Sequence, residues 1–105
     1  MQKLISVLTP AYNCGHLIHR LLDYVLFQTY SNVEMFVIDD GSTDNTKGII
    51  ADYSEKFQER CYVLKYIYQE NQGQSVAINN GLKLVNGDYL VWPDADDWYA
   101  EANAF

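Results

Sequence analysis

Four short apolar runs, each followed by a cluster of polar, turn-forming residues, constrain the fold of this chain more than any other feature. The runs are Leu4–Leu8, Val33–Ile38, Tyr62–Tyr68 and Tyr89–Trp92. Their branched and aromatic residues are typical of buried strands. They recur roughly every 25–30 residues, which is about the length of a β-α-β unit. We therefore expect strands that alternate with helices.

Three helices are predicted between these strands. The first covers His16–Gln28, where apolar residues fall on one helical face. The second follows Ser42 and Thr43, which are N-cap candidates, and the third runs from Gln74 to about Val85. The order predicts an α/β fold, a Rossmann-like, mainly parallel sheet of about four strands with helices on both faces. With 105 residues, the chain is expected to form a single domain.

The carboxyl ends of parallel strands are where open α/β sheets bind ligands. In this sequence every predicted strand ends in a polar cluster, and these clusters occupy residues 10–13, 39–42, 70–73 and 94–97. If the sheet is parallel, all four clusters lie along one edge. The sequence therefore predicts a ligand site at this edge.

The segment Asp94-Ala95-Asp96-Asp97 carries the sharpest chemical signal. It places three carboxylates within four residues, and at 4 Å each charge pair costs about 4 kcal/mol in a medium of dielectric constant 20. A hard divalent cation would remove that repulsion, because such cations prefer oxygen ligands. A solvated acidic turn that caps a helix explains the spacing equally well.

The other clusters also admit two interpretations. Asp39 and Asp40 could accept hydrogen bonds from a ligand, but taken alone they fit a turn and helix cap better. Tyr12 could stack on a flat base or could cover the edge of the core. His16 and His19 have no third metal ligand nearby in the sequence, so we interpret them as surface residues.

The charge of the chain limits its partners. There are 14 acidic and 7 basic residues, for a net charge of −7, which argues against a nucleic-acid surface. A phosphorylated ligand would need a counter-charge that so few basic residues cannot supply, so a bound metal ion is the natural candidate.

We expect a cytoplasmic location. Cys14 and Cys61 show no metal-binding spacing and fit two reduced thiols of a cytosolic protein. The opening residues are not typical of a signal peptide, and no apolar stretch approaches the roughly 20 residues that span a bilayer.

Taken together, these segments resemble the GT-A-type glycosyltransferases of family 2. The resemblance is carried, in family order, by Ile5–Asn13, Leu26–Tyr30, Val37–Asp44, Glu70–Ser75, Asn79–Gly81, Gly87–Leu90 and Asp94–Asp97. It covers nearly the whole chain and implies an inverting transferase that takes a sugar from a nucleotide-diphosphate sugar, with a uridine diphosphate (UDP) sugar favoured. The acceptor is not readable from these segments.

The resemblance also implies roles for individual residues. Pro10 and Tyr12 would line the base pocket, with Tyr12 against the base. Asp40 would hydrogen-bond the base, with Asp39 close by, and Gln74 would be a further nucleotide-binding residue.

The acidic segment corresponds to the DxD motif of that family. Asp94 and Asp96 would hold Mn²⁺ or Mg²⁺, with Asp96 the better candidate for direct contact. The ion would bridge the donor diphosphate and offset the charge that develops on the leaving group.

Two departures from the family pattern bear on activity. Ile78 stands where the family often has an arginine, which leaves one phosphate or sugar contact unsupported. The general base is expected beyond residue 105, so we expect this chain alone to be incomplete and inactive.

Strand four would then be an exposed edge, and we expect self-association along Tyr89–Trp92.

The resemblance suggests a bacterial polysaccharide or cell-surface glycan as the product, with the full-length protein at the inner membrane surface. One alternative is a nucleotide-binding module without catalysis. A phosphotransfer or phosphatase-type α/β domain is a weaker alternative, because those proteins carry their acidic residues after the first strand, and here that strand ends in Thr9-Pro10.

Overall fold

Strands and helices alternate along the chain in the predicted order. The computed structural model describes residues 3–92. It contains β1 (Ile5–Ala11), α1 (Ile18–Leu26), β2 (Val33–Asp40), α2 (Thr46–Glu59), β3 (Val63–Gln69), α3 (Gln74–Leu82) and β4 (Tyr89–Val91). No helix within residues 3–92 has the length and apolar character needed to cross a membrane.

The four strands form one parallel sheet in the order β3-β2-β1-β4. β1 and β2 pair along their whole length, from Ile5 opposite Val33 to Ala11 opposite Asp39. β4 pairs only with the first three residues of β1. All strands therefore point the same way, and the predicted parallel sheet is confirmed.

Helices cover both faces of the sheet, as predicted. Successive side chains of a strand point to opposite faces. Val7 and Val37 belong to a core shared with α1 and α2, whereas Leu8 and Ile38 pack with Ala77 of α3. Both faces of the two central strands are thus buried, which explains why their sequences are almost continuously apolar.

β1 is longer than predicted, because it continues past Leu8 and through Pro10 to Ala11. A proline lacks the backbone N–H that a strand residue donates to a neighbouring strand. Here β4 has already ended opposite Val7, so within the described residues β1 has a neighbour on only one side at Pro10. Its pairing with Ile38 of β2 is retained.

The predicted N-caps of α2 are wrong. The helix begins at Thr46, and neither Ser42 nor Thr43 caps it. Ser42 Oγ instead accepts a hydrogen bond from the backbone N–H of Asn13, at 2.8 Å. The first turn is supported by Asp44, whose Oδ1 accepts the Thr46 N–H at 3.0 Å.

Three further helix boundaries differ from prediction. α1 ends at Leu26 and not at Gln28. α1 begins at Ile18 and not at His16, because the N–H groups of Leu17 and Ile18 both close a turn on the carbonyl of Cys14. α3 ends at Leu82, and the turn that follows extends to Val85, the predicted end.

A buried carboxylate at the amino-terminal end of the sheet holds the start of β4. Glu34 is 4% exposed, and its Oε2 accepts hydrogen bonds from Ser6 Oγ and the Asn86 N–H, each at 2.6 Å. Ser6 Oγ in turn accepts the Gly87 N–H at 2.8 Å. A Cβ on Gly87 would lie 2.3 Å from Ser6 Oγ. The absence of a side chain therefore lets this turn close against β1.

Candidate functional site

A cavity of about 560 Å³ opens at the carboxyl ends of the strands. Its walls come from the segments that follow β1, β2 and β3. The lining residues are Pro10, Ala11, Tyr12, Asn13, Cys14, His16, Leu17, Asp40, Asn71 and Gln74. The structure thus brings together three of the four polar clusters, and the fourth, residues 94–97, lies outside the described residues.

Pro10 and Tyr12 form the wall contributed by β1. Pro10 is held by the strand pairing, and Tyr12 follows directly after the last strand residue. The Tyr12 side chain is 53% exposed, so it does not cover the edge of the core. Its ring is available to a flat ligand in the cavity.

Asp40, the last residue of β2, is the acidic group of the cavity. Its Oδ1 accepts hydrogen bonds from Gln69 Nε2 at 2.8 Å and from the Gln72 N–H at 2.7 Å. Its Oδ2 accepts the Gly73 N–H at 3.0 Å. The Gln69 bond, followed by the two backbone bonds, lowers the pKa of Asp40 despite its burial. Asp40 is therefore a stable anion that also orders the segment before α3.

These bonds leave Asp40 with little remaining acceptor capacity. An ionised carboxylate offers about four lone-pair sites, two on each oxygen. Two donors occupy Oδ1 and one occupies Oδ2. Among residues 3–92 no donor occupies the remaining site, on Oδ2, which can therefore serve a ligand.

Asp39 does not line the cavity, although it is adjacent to Asp40. It is 1% exposed. Its Oδ1 accepts the Ser42 N–H at 2.9 Å, and its Oδ2 accepts the Tyr66 hydroxyl. Burial, then the hydrogen bond and charge of Asp39, raises the pKa of Tyr66. In the structure Asp39 joins β3 to the turn after β2, and the predicted nucleotide contact lacks support from this geometry.

The β1 and β2 loops, residues 12–17 and 41–45, are joined by hydrogen bonds in both directions. Asn13 donates its N–H to Ser42 and accepts the Thr43 N–H at Oδ1, each at 2.8 Å. Asp44 Oδ2 accepts the Gly15 N–H at 3.0 Å. The walls of the cavity are therefore connected before any ligand is present.

The β2 loop meets the segment after β3, residues 70–73, at a glycine. Gly41 has φ +81°, and a Cβ there would lie 2.9 Å from the backbone nitrogen of Asn71. Both the left-handed conformation and the close approach favour glycine. The approach sets Asn71 beside Asp40 in the cavity wall. Gln74, the first residue of α3, completes this side.

Six cavity residues were not predicted from the sequence to be site residues, namely Ala11, Asn13, Cys14, His16, Leu17 and Asn71. His16, interpreted as a surface residue, is exposed but lines the cavity. Cys14 lies at its back as a buried free thiol, and burial is the main cause that raises its pKa. Asn71 belongs to the polar cluster 70–73, for which a ligand-binding loop and a plain turn were both considered and the turn was favoured. All six lie at the carboxyl end of β1 or in the segments that follow β1 and β3, and this position was the available signal.

No metal centre occurs within residues 3–92, since they contain no group of three or more His, Cys, Asp or Glu side chains that could hold an ion. The predicted ligands Asp94 and Asp96 lie outside the described residues. The carboxyl end of β4 nevertheless points to the same edge of the sheet as those of β1 and β2.

The architecture is that of the GT-A glycosyltransferases. The mannosyltransferase PcManGT from Pyrobaculum calidifontis, solved with GDP-Man and Mn²⁺, matches with a TM-score of 0.88 and 28% identity. The match covers 97% of this chain and 30% of PcManGT. TarS of S. aureus, solved with UDP-GlcNAc, matches at 0.75 and 29% identity over 90% of this chain and 27% of TarS.

The chain belongs to glycosyl transferase family 2, whose family model matches residues 6–103. Glycosyltransferase GlyG of Streptococcus pneumoniae is 41% identical over 98 residues, which are 92% of this chain and 31% of GlyG. Glycosyltransferase GlyA of the same organism is 40% identical over 94 residues, or 90% of this chain and 13% of GlyA. The chain therefore spans less than a third of either relative. Family membership decides against the phosphotransfer and phosphatase alternatives.

Proposed function

We propose that this chain binds the nucleotide of a UDP-sugar, together with Mn²⁺ or Mg²⁺, for transfer of the sugar to an acceptor. The observation that carries the proposal is the cavity between Tyr12 and Asp40. It combines an exposed aromatic ring with an ionised carboxylate that keeps one free acceptor site. A flat base that carries an N–H donor satisfies both groups, by stacking on Tyr12 and by donating to Asp40.

The free acceptor site of Asp40 favours uracil over guanine. Uracil presents one ring N–H, which needs a single acceptor. Guanine presents a ring N–H and an adjacent amino group, which suit two carboxylate oxygens at once. Because Gln69 and Gln72 already occupy Oδ1, only Oδ2 can receive a base. This supports a uridine nucleotide here, whereas PcManGT was solved with GDP-Man.

We propose Asp94 and Asp96 as the metal ligands, with Asp96 in direct contact. Their oxygen donors suit Mn²⁺ or Mg²⁺, which as Lewis acids stabilise a departing diphosphate. Val91, the last residue of β4, pairs with Val7, and β1 continues from there to Pro10 at the same edge of the sheet. Pro10 is the start of the cavity wall. PcManGT was itself solved with Mn²⁺.

We also propose that the chain self-associates through β4. In the described part of the chain this strand is an edge of the sheet, and Tyr89 and Trp92 are 60% and 56% exposed. An edge strand offers unpaired backbone groups to a second chain. For the biological role, we propose synthesis of a bacterial polysaccharide or cell-surface glycan.

The test is a thermal-shift and calorimetric screen of UDP, GDP and CDP with and without Mn²⁺. We expect UDP with Mn²⁺ to bind most tightly and to add about 2.7 kcal/mol of stability at a concentration one hundred times its Kd. Asp96→Ala should abolish the part that depends on Mn²⁺. Glu55→Ala, an equal charge change at an exposed position of α2, is the matched control and should leave binding unchanged. Failure of every nucleotide to bind would refute the proposal.

A further inference from the structure

We propose that Asn13 is a positioning residue of this nucleotide site. It cross-links the β1 and β2 loops and so holds the ring of Tyr12 in place opposite Asp40. The inference rests on the proposed function, because it concerns binding of a nucleotide in the same cavity. It identifies Asn13 as a residue that affects the affinity for the nucleotide through its neighbour Tyr12.

The backbone of Asn13 adopts a conformation that few residues tolerate. Its φ is +46°, in the left-handed region, where asparagine and glycine are the residues most often found. It follows Tyr12 directly, and Tyr12 follows the last residue of β1. The left-handed residue therefore turns the chain away from the sheet immediately after the ring that faces the cavity.

The side chain of Asn13 bonds to the β2 loop at two consecutive backbone groups. Oδ1 accepts the Thr43 N–H at 2.8 Å and the Asp44 N–H at 3.3 Å. The Asn13 N–H donates to Ser42 Oγ at 2.8 Å. With the Thr43 hydroxyl, which also donates to Oδ1 at 3.4 Å, one residue makes four hydrogen bonds to a segment about 30 positions further along the chain.

The β1 and β2 loops make a second contact at Gly15. Asp44 Oδ2 accepts the Gly15 N–H at 3.0 Å, and a Cβ on Gly15 would lie 2.3 Å from the side chain of Asn45. Burial acts to raise the pKa of Asp44, but hydrogen bonds from the Thr46 hydroxyl and from the Gly15 and Thr46 N–H groups together outweigh it and lower the pKa. The loops are therefore fixed at two points, Asn13 and Gly15, on the same side of the cavity.

Tyr12 has no comparable restraint of its own. Its ring is half-exposed, and no hydrogen bond holds it among the described residues. Asp40, by contrast, is fixed by Gln69, Gln72 and Gly73. The position of the ring relative to the carboxylate thus depends on the backbone at Asn13. When only a fraction of molecules has the binding geometry, the apparent Kd rises by the inverse of that fraction.

The experiment measures the Kd for UDP with Mn²⁺ by calorimetry on two substitutions of the 105-residue chain. Asn13→Gly keeps the left-handed backbone accessible but removes Oδ1. We expect it to raise the Kd at least about tenfold, as if the competent fraction fell to about a tenth. Asn13→Asp retains the acceptor and should stay within about threefold of the wild type. Should Asn13→Gly not fold, Ser42→Ala provides the second test, because it removes the acceptor of the Asn13 N–H.

A double substitution tests whether Asn13 acts through Tyr12. If it does, Tyr12→Ala with Asn13→Gly will bind no more weakly than Tyr12→Ala alone. Ser6→Ala, which breaks a buried hydrogen bond at the opposite end of the sheet, controls for general destabilisation and should not change the Kd. Wild-type affinity in Asn13→Gly, or in Ser42→Ala where that variant is used, would overturn the inference, as would losses that add in the double variant. If the wild type itself binds no nucleotide, the proposed function fails instead.

Discussion

Asp39 and Asp40 are consecutive, yet their carboxylates serve opposite faces of the sheet. Asp39 accepts hydrogen bonds from Tyr66 and from the turn after β2, on the side of α1 and α2. Asp40 accepts from Gln72 and Gly73, at the start of α3. Only Asp40 lines the cavity. The pair therefore combines one structural carboxylate with one that faces the ligand space.

Replacing Tyr12 should separate affinity from stability. Because the ring is 53% exposed, Tyr12→Ala should leave the free energy of unfolding almost unchanged. Loss of a stacked base costs about 1–3 kcal/mol, so the Kd for UDP should rise by about 5- to 150-fold. Tyr12→Phe keeps the stacking face and serves as the control. Calorimetry and urea denaturation measure the two quantities, and equal affinity in Tyr12→Ala would contradict a stacking role.

Asp40 should make the stability of the domain dependent on pH. Its pKa is lower in the folded chain than the ordinary value of 3.8, so the unfolded chain binds more protons in this range. The contribution of the Asp40 carboxylate to the free energy of unfolding is complete above about pH 4. It is lost as the pH falls through the pKa of Asp40 in the folded chain. We expect Asp40→Asn to be less stable at pH 7 and to lose less stability between pH 7 and pH 3. Urea denaturation at both pH values measures this, and an unchanged difference would argue against it.

Gly87 should not tolerate a side chain. In Gly87→Ala the new Cβ would lie 2.3 Å from Ser6 Oγ and 2.9 Å from the Leu4 carbonyl oxygen, so the backbone must shift. We expect a loss of about 1–3 kcal/mol in the free energy of unfolding. Gly48→Ala is the matched control, since nothing lies within 4 Å of its Cβ in α2, and it should stabilise by about 0.5–1 kcal/mol. Equal effects of both substitutions in denaturant titrations would contradict the packing described at Gly87.

The β4 edge should respond to an added charge. Tyr89→Lys places a lysine on the exposed edge strand, and such residues oppose pairing with another chain. We expect it to shift the sedimentation coefficient towards the monomer at high concentration. Tyr68→Lys, at a 57% exposed position of the other edge strand, is the control. A wild-type chain that stays monomeric at every concentration would rule out this contact.

The order of strands and helices could be predicted because apolar periodicity reports burial directly. The start of α2 could not, because Ser42 bonds to Asn13, a tertiary partner that local propensity does not reveal. The difference between Asp39 and Asp40 likewise depends on which face of β2 each occupies. His16 is exposed, as interpreted, but its place beside the cavity was not predicted, because it depends on the turn closed on the Cys14 carbonyl before α1 begins.

The contact between Gly87 and Ser6 also limits the length of the segment between α3 and β4. Leu90 packs with the core on the α3 side, and Val91 with the core on the opposite face. One residue inserted or deleted between Gly87 and Leu90 would exchange these two faces and shift the pairing of β4 with β1 by about 3.3 Å. Because both side chains are apolar, the sheet could accept the exchange. The pairing of Tyr89 with Ile5 would still be lost, so changes in length here should be more damaging than changes in composition.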